Sequence, residues 1–180
     1  MIEKEPITVV CSSMGWLRAM KGHVDLSQEL KYKDGDEKRF VFHAETNDKL
    51  LMFGGNGRFY TMSCSEFPGG RGMGEPIRLI VDLPNDANMV DLFIHQPDRK
   101  LLLASSAGDG FVVEENDIVA QTRTGKQVLN VKGDITALIC KPVVGDFVAT
   151  VGQNRKVLIF PIDELPIMSR GKGVRMQKYK

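Results

Sequence analysis

Residues 49–77 read KLLMFGGNGRFYTMSCSEFPGGRGMGEPI, and this stretch decides the fold. Two short apolar runs, Leu50–Phe53 and Phe59–Met62, stand on either side of a turn that contains Asn56 and Gly57. An Asn-Gly pair supplies the positive φ angles that a tight hairpin turn requires. The first part of the stretch is therefore predicted to be a β-hairpin.

A glycine-rich loop follows this hairpin. It holds a single arginine, Arg71, ends at Glu75 and Pro76, and leads into a further apolar run. The same order of hairpin, loop and apolar run recurs along the chain. The four predicted hairpins are Ile7–Ala19, Leu50–Met62, Leu101–Val113 and Phe147–Phe160. A period of about 45 residues indicates a propeller or a solenoid rather than one ordinary globular fold.

Apolar runs between the hairpins give each repeat about four strands, which is the usual content of a propeller blade. These runs are Arg39–His43, Ile77–Leu83, Met89–His95, Val128–Val131 and Asp134–Cys140. The predicted fold class is therefore all-β, with one propeller-like domain over residues 1–180. The repeats are expected at approximately 6–46, 47–97, 98–143 and 144–180. The fourth repeat lacks its outgoing strands, so the array is expected to be truncated.

The composition is that of an ordinary globular protein. Of the 180 residues 42% are hydrophobic, and the formal net charge is +1, so disorder is not expected outside the ends. The three cysteines are widely spaced and lie in or beside apolar strands, which is typical of reduced thiols in a cytosolic protein. No apolar run approaches a membrane span, and residues 1–6 lack the pattern of a signal peptide.

Catalysis and metal binding are poorly supported by the sequence. His23, His43 and His95 have no obvious serine, cysteine or paired carboxylate as a partner. Residues 34–37 resemble part of a calcium loop, but the regular spacing of acidic ligands is missing. Residues 69–74 are rich in glycine, yet no Gly-Lys-Ser/Thr follows them as in a nucleotide-binding loop. No catalytic or metal site is therefore predicted.

One basic residue or pair recurs in the glycine-containing loop of each later repeat. Residues 70–74, 122–126 and 169–173 are aligned as the same loop. Small neighbours let a phosphate backbone approach the main chain, and a guanidinium can hold two phosphate oxygens at once. Surface loops often carry arginine and glycine without a function. Basic residues repeated at the same place in three loops, however, favour the binding of nucleic acid. The basic end of the chain, residues 169–180, contains no carboxylate and agrees with this interpretation.

The predicted phosphate contacts lie in these loops and in the first repeat. They are Arg18, Lys21, Lys31, Lys33, Lys38, Arg71, Arg123, Lys126, Arg170 and Lys172. Aromatic residues do not alternate with these basic residues. Contacts with the phosphates of duplex DNA are therefore favoured over stacking on a single strand. The loops offer no element that would enter a major groove, so we expect contacts that do not read the base sequence.

Residues 7–23 read ITVVCSSMGWLRAMKGH, residues 72–76 read GMGEP, and residues 100–111 read KLLLASSAGDGF. Together these three segments resemble the C-terminal domain of the A subunit of bacterial DNA topoisomerase IV. The resemblance covers nearly the whole chain. It implies a β-pinwheel, in which propeller-like blades partly exchange strands with their neighbours. It also implies a basic outer rim that binds the DNA segment to be transported.

The related gyrase A subunit carries a glutamine-arginine-arginine-glycine-glycine box in its first blade, which fastens wrapped DNA. The corresponding residues 28–36 read QELKYKDGD, with neither paired arginines nor a double glycine. This departure favours the topoisomerase IV subunit over the gyrase subunit. Tight wrapping of DNA is therefore not expected.

The resemblance further implies a parent enzyme that is an ATP-dependent type II topoisomerase. This enzyme would use Mg²⁺, act on double-stranded DNA, and combine the remainder of the A chain with an ATPase B subunit. The strand-passage tyrosine lies outside this chain, so the chain alone is expected to have no activity and no cofactor. A cytoplasmic, nucleoid-associated location is expected, with peripheral membrane association of the parent enzyme left open.

Two functions from different classes remain at this point. The leading hypothesis is a duplex-DNA-binding module that guides the transported segment for decatenation and relaxation. The alternative is a protein-interaction propeller whose rim contacts chromosome-segregation partners. Binding of DNA should depend strongly on salt, whereas binding through a neutral protein surface should not.

Overall fold

The computed structural model describes residues 1–176, and its regular structure is antiparallel β-sheet with short 3₁₀ helices. Three-residue 3₁₀ helices lie at Cys64–Glu66, Ile77–Leu79, Glu115–Asp117 and Ile162–Glu164. The strands are β1 Pro6–Ser12, β2 Trp16–Lys21, β3 Lys38–Glu45, β4 Lys49–Gly54, β5 Arg58–Ser63, β6 Glu75–Pro76, β7 Met89–Ile94, β8 Lys100–Ser105, β9 Asp109–Glu114, β10 Lys126–Gln127, β11 Ala137–Pro142, β12 Phe147–Val151, β13 Val157–Pro161 and β14 Val174–Arg175.

The strands form three four-stranded sheets and one two-stranded sheet. The strand orders are β3-β1-β2-β6, β10-β5-β4-β7, β11-β8-β9-β14 and β12-β13. All four predicted hairpins are present, as β1-β2, β4-β5, β8-β9 and β12-β13. A glycine with positive φ closes each of the first three turns, at Gly15, Gly57 and Gly108. Arg155 takes this place in the fourth turn, with a φ of 62° that is unusual for a side chain with a Cβ.

The fourth strand of each four-stranded sheet comes from the following repeat. Strand β6 pairs with β2, β10 pairs with β5, and β14 pairs with β9. Each exchanged strand is only two residues long and directly follows a glycine with positive φ, at Gly74, Gly125 and Gly173. A Cβ at any of the three would lie less than 3.0 Å from a carbonyl oxygen of the preceding sheet. This arrangement confirms the expected β-pinwheel with exchanged strands.

The position of these glycines corrects the sequence alignment of the loops by one residue. Gly74 corresponds to Gly125, not to Lys126, because both glycines immediately precede an exchanged strand. Lys126 therefore lies on β10 itself, opposite Phe59.

Two of the predicted strands are wrong. Residues 77–83 begin with the 3₁₀ helix Ile77–Leu79, because Pro76 has no N–H with which to continue the pairing of β6. Residues 128–131 form no regular strand; the N–H groups of Val128 and Leu129 both donate to the carbonyl oxygen of Gly57. This bend buries both side chains completely in the core.

The hydrophobic cores lie between neighbouring sheets rather than inside any one of them. Leu50 and Met52 of β4 belong to the core shared with the first sheet. Leu51 and Phe53 of the same strand belong to the core shared with the third sheet. Successive side chains of a strand point to opposite faces, so a strand packed on both faces must be apolar throughout. This explains the continuous apolar run at Leu50–Phe53.

The sheets converge at one edge. Strands β7 and β11 contact each other across the boundary between the second and third sheets. Arg39 of β3, Val90 of β7 and Ala137 of β11 line one cavity, so strands of three sheets meet there. We therefore assign the edge formed by β3, β7 and β11 to the inside of the curved array, and the exchanged strands to the outside.

The two glycines of one loop allow the close approach at an exchanged strand to be tested. Gly72 and Gly74 have φ angles of +85° and +86°, but only at Gly74 would a Cβ meet a neighbour within 4 Å. Gly72→Ala should lower the free energy of unfolding by about 1 kcal/mol, the cost of a left-handed residue. Gly74→Ala should lower it by about 3 kcal/mol or more, because the backbone of β2 must also move. Equal losses in urea unfolding would contradict the close packing.

The different burial of two apolar side chains predicts different losses of stability when each is replaced by alanine. Phe111 is completely buried, whereas Leu158 on β13 is half-buried. Phe111→Ala should lower the free energy of unfolding by about 3–5 kcal/mol, and Leu158→Ala by less than about 2 kcal/mol. Urea unfolding of the two variants measures both losses. A larger loss for Leu158→Ala would mean that the fourth hairpin is packed more tightly than described.

Candidate nucleic-acid interface

Each glycine-rich loop lies along the outer side of the preceding sheet. The N–H of Ala19 donates to the carbonyl oxygen of Pro68 at 2.9 Å, and that of Val112 donates to Pro166 at 3.0 Å. The third loop makes the equivalent contact through a side chain, with the N–H of Ala120 donating to Thr61 Oγ1 at 2.9 Å. The loops therefore repeat in space as well as in sequence.

Hydrogen bonds join the segment that follows one exchanged strand to the next glycine-rich loop. The N–H of Asp82, which follows the first exchanged strand and the 3₁₀ helix Ile77–Leu79, donates to the carbonyl oxygen of Arg123 at 2.9 Å. The N–H of Asn130, just after the second exchanged strand, donates to the carbonyl oxygen of Gly171 at 2.8 Å. The loops of Arg71, Arg123 and Arg170 thus form a continuous series along one edge, which we call the loop row (residues 68–74, 121–125 and 167–173).

The first repeat adds its own loop to this row. Residues 24–37 fold back on their own hairpin, where the N–H of Ser13 donates to the carbonyl oxygen of Glu37 at 2.8 Å. Arg18 then joins this loop to the next one, donating to the carbonyl oxygens of Lys31 at 2.8 Å and Gly72 at 2.6 Å. The basic residues of the first two loops are therefore neighbours.

Most of the predicted contact residues have exposed side chains. These are Lys21, Lys31, Lys33, Lys38, Arg71, Arg123, Lys126, Arg170 and Lys172. Lys21 ends β2 directly after Met20, which packs against Gly70, so Lys21 lies beside the loop of Arg71. Lys38 begins β3 at the sheet edge opposite β6, outside the loop row. Lys178 and Lys180 of the basic end lie outside the described residues.

Arg18 is different from the rest of the set. Only 6% of the residue is exposed, and its guanidinium is occupied by two backbone carbonyl groups. A phosphate could reach it only after the loops moved apart. We therefore leave Arg18 out of the group of direct phosphate contacts.

Several of the exposed bases already have partners in the protein. Arg123 donates to the carbonyl oxygen of Leu79 at 2.8 Å and lies 3.5 Å from the Asp82 carboxylate. Lys172 Nζ lies 3.4 Å from the buried carboxylate of Asp109. The Arg123–Asp82 pair is exposed on both sides, and such pairs are weak and exchange readily with phosphate oxygens. Lys172 is held more firmly, because its departure would leave the buried carboxylate of Asp109 with less compensation.

Neither Arg71 nor Arg170 has an ion pair among the described residues, but Arg170 Nε donates to Asn130 Oδ1 at 3.4 Å. Arg71 has no such hydrogen bond in this part of the chain and is the most available guanidinium of the row.

Aromatic side chains lie beside the basic residues of the first loop. The sequence pattern did not suggest this proximity. Lys33 Nζ lies 3.4 Å from the centre of the Trp16 ring, and the Arg18 guanidinium lies 5.7 Å from that of Tyr32. These cation–π contacts hold the loop against its hairpin.

Arg58 is a further residue of the site and is not among those predicted from the sequence. Its Nε donates to the carbonyl oxygen of Thr124 at 2.9 Å, and its guanidinium also reaches Gln127 and Gly125. It begins β5, as Trp16 begins β2 and Asp109 begins β9, at the place where an exchanged strand pairs. That repeat position, directly after the turn, is the signal that could have identified it.

His95 has a carboxylate partner, contrary to the expectation from the sequence. Its Nδ1 lies 2.7 Å from Glu115, which is fully buried and also receives hydrogen bonds from Arg99 at 2.6 and 2.8 Å. Because Arg99 and the N–H of Gln96 also bind this carboxylate, it is held in place rather than available as a base. The group joins the turn before β8 to the 3₁₀ helix Glu115–Asp117, a structural role.

Burial also makes the thiols unreactive. It raises the pKa of Cys11 and of Cys64 to about 12 each, and that of Cys140 further still. All three remain protonated near neutral pH, so they are poor nucleophiles and poor metal ligands. Within residues 1–176 no three His, Cys, Asp or Glu side chains are grouped so that they could hold a metal ion. Nor is any helix in this part of the chain long and apolar enough to cross a membrane.

A model of the family described as DNA gyrase C-terminal domain, beta-propeller, matches residues 48–96, 99–138 and 146–180. The chain belongs to this family. The match falls on the second, third and fourth repeats, and the first sheet shares the strand order and exchanged strand of the second and third sheets. The family resemblance and the β-pinwheel predicted from the sequence are both confirmed.

Among curated family members, the chain is similar to the A subunit of DNA topoisomerase 4 from several bacteria. It is 48% identical to the Rickettsia bellii protein over 179 residues, and 48% identical to the Caulobacter vibrioides protein over 180 residues. The Escherichia coli K12 protein is 36% identical over 177 residues. These alignments cover 99%, 100% and 96% of the chain but 24%, 24% and 23% of the relatives. The chain therefore spans about a quarter of their length.

Solved structures share the fold. The E. coli ParC C-terminal domain superposes with a TM-score of 0.88 at 33% identity, covering 97% of this chain and 72% of that one. The DNA gyrase A C-terminal domain superposes with a TM-score of 0.66 at 21% identity, covering 98% of this chain and 61% of that one.

The buried carboxylate of Glu115 yields a stability prediction. Glu115→Ala leaves the guanidinium of Arg99 without its partner, so we expect a loss of about 3–5 kcal/mol in the free energy of unfolding. The double variant Arg99→Met with Glu115→Leu removes both charges and should recover much of that loss. Urea unfolding of the three proteins measures this. A loss below about 1 kcal/mol for Glu115→Ala would contradict the structural role.

Proposed function

We propose that this domain binds duplex DNA through the phosphate backbone along the loop row. The observation that supports this most directly is the chain of hydrogen bonds that sets three glycine-arginine loops side by side, with Lys31 and Lys33 at one end. A series of cations on one edge can follow a phosphate backbone, whereas the same charges on separate faces could not. The net charge of +1 does not argue against DNA binding, because the basic residues share one edge.

The form of the loops favours phosphate contact over reading of bases. No atom lies within 4 Å of where a Cβ of Gly72 would be, so a phosphate can approach the backbone directly after Arg71; Gly70, directly before it, packs against Met20. The row consists of loops, each followed by a two-residue strand, and none of these elements offers a helix or ribbon that could enter a major groove. We therefore infer binding that is largely independent of sequence.

We place the domain in a topoisomerase IV, in keeping with the relatives that are named as A subunits of DNA topoisomerase 4. The parent protein would then be a type II topoisomerase that uses ATP and Mg²⁺ with an ATPase B subunit. In that enzyme the domain would guide the transported DNA segment for decatenation and relaxation in the cytoplasm. The domain would contribute binding, and the chemistry would belong to the remainder of the enzyme.

Salt dependence tests the proposal. If about five basic groups each neutralise one phosphate, the logarithm of duplex affinity should fall with the logarithm of salt concentration at a slope of about −4 to −5. Arg71→Ala should reduce the slope by about one and weaken binding about 5-fold to 10-fold at 0.1 M salt, equally on two unrelated sequences.

Lys100→Ala is the matched control, because Lys100 is also exposed but begins β8, outside the loop row. It should leave the slope unchanged. A flat salt response of the unmodified protein would reject DNA binding and favour the protein-interaction alternative. If Arg71→Ala lowers the melting temperature but not the affinity, Arg71 is structural.

A further inference from the structure

Arg18 occupies a place where the other complete sheets have apolar residues. It is the third residue of β2, and Tyr60 and Phe111 are the third residues of β5 and β9. All three are buried. A buried aromatic residue would serve stability at this position, so the guanidinium requires another explanation.

The contacts of Arg18 supply one. One terminal nitrogen donates to the carbonyl oxygen of Gly72, the neighbour of Arg71, and the other donates to the carbonyl oxygen of Lys31. The two acceptors belong to two different loops, each of which presents a proposed phosphate-binding side chain. Within residues 1–176 no carboxylate forms an ion pair with Arg18, so its positive charge is not cancelled where a polyanion would lie.

Arg58 repeats this arrangement one sheet further along. Its guanidinium donates to the carbonyl oxygens of Thr124 and Gly125, which follow Arg123 directly. In both cases an arginine on the second strand of one sheet binds the backbone of the next glycine-rich loop, beside that loop's exposed arginine.

We propose that Arg18 and Arg58 are positioning residues for DNA binding: they hold the loops of Arg71 and Arg123 in the conformation that meets successive phosphates. The inference rests on the proposed function. Glycine-rich loops are costly to order, and a loop that is ordered before binding loses less entropy on the DNA. Neither arginine need touch a phosphate, so removing one should weaken binding without removing a counterion-releasing contact.

The test uses Arg18→Met and Arg58→Met in the full-length protein, with Arg71→Ala as the comparison. We expect each methionine variant to bind duplex DNA about 5-fold to 10-fold more weakly at 0.1 M salt, with an unchanged salt slope, whereas Arg71→Ala reduces the slope by about one. Arg18→Lys keeps the charge but cannot span both carbonyls, and it should bind as weakly as Arg18→Met.

Limited trypsin digestion of the native proteins gives a readout that does not involve DNA. Arg18→Met should accelerate cleavage after Lys31 and Arg71 but not after Arg123. Arg58→Met should accelerate cleavage after Arg123 but not after Arg71. Each variant thereby serves as the control for the other, and an overall loss of stability would accelerate all the cuts together.

The outcomes separate the inference from the proposed function. If the unmodified protein does not bind DNA, the proposed function fails, and the digestion still shows whether the arginines order the loops. If the unmodified protein binds and a methionine variant reduces the salt slope by one, that arginine contacts phosphate directly and the inference is wrong. Unchanged affinity and unchanged loop cleavage would overturn it as well. Where a methionine variant unfolds, the corresponding lysine variant is judged by the same criteria.

Discussion

The structure depends on the close approach between a glycine and a carbonyl group of the neighbouring sheet at each exchanged strand. At Gly74, Gly125 and Gly173 the backbone has a positive φ and packs where no Cβ could fit. This contact brings a two-residue strand from one repeat onto the second strand of the preceding repeat. The sheets are therefore joined by the chain itself as well as by side-chain packing.

The packing between sheets follows from the same repetition. A strand such as β4 lies between two cores, with alternate residues directed to each. Its apolar surface is buried only when both neighbouring sheets are present. The fourth hairpin shows the consequence, since one of its faces exposes Phe147, Val157 and Ile159 in the described chain.

The basic residues in and beside the glycine-rich loops have two roles. Some, such as Arg71, have exposed side chains, while the buried guanidinium of Arg18 is directed at backbone carbonyls. Charges of the first kind can attract a polyanion. Charges of the second kind act through the shape of the loop. A count of arginines and lysines along the chain cannot separate these roles, because they differ in which distant carbonyl groups the side chain meets.

The sequence by itself determined the repeats, the four hairpins and the glycine-rich loops, because these follow from local periodicity and turn chemistry. Asn56 and Gly57 specify a turn wherever the chain folds. Only the tertiary structure decided that Lys126 lies on an exchanged strand, that residues 128–131 bend over Gly57, and that Glu115 binds both His95 and Arg99. It also decided that Arg18 is buried. Each of these features joins residues far apart in the chain, and no local pattern reveals which distant carbonyl or carboxylate a side chain will meet.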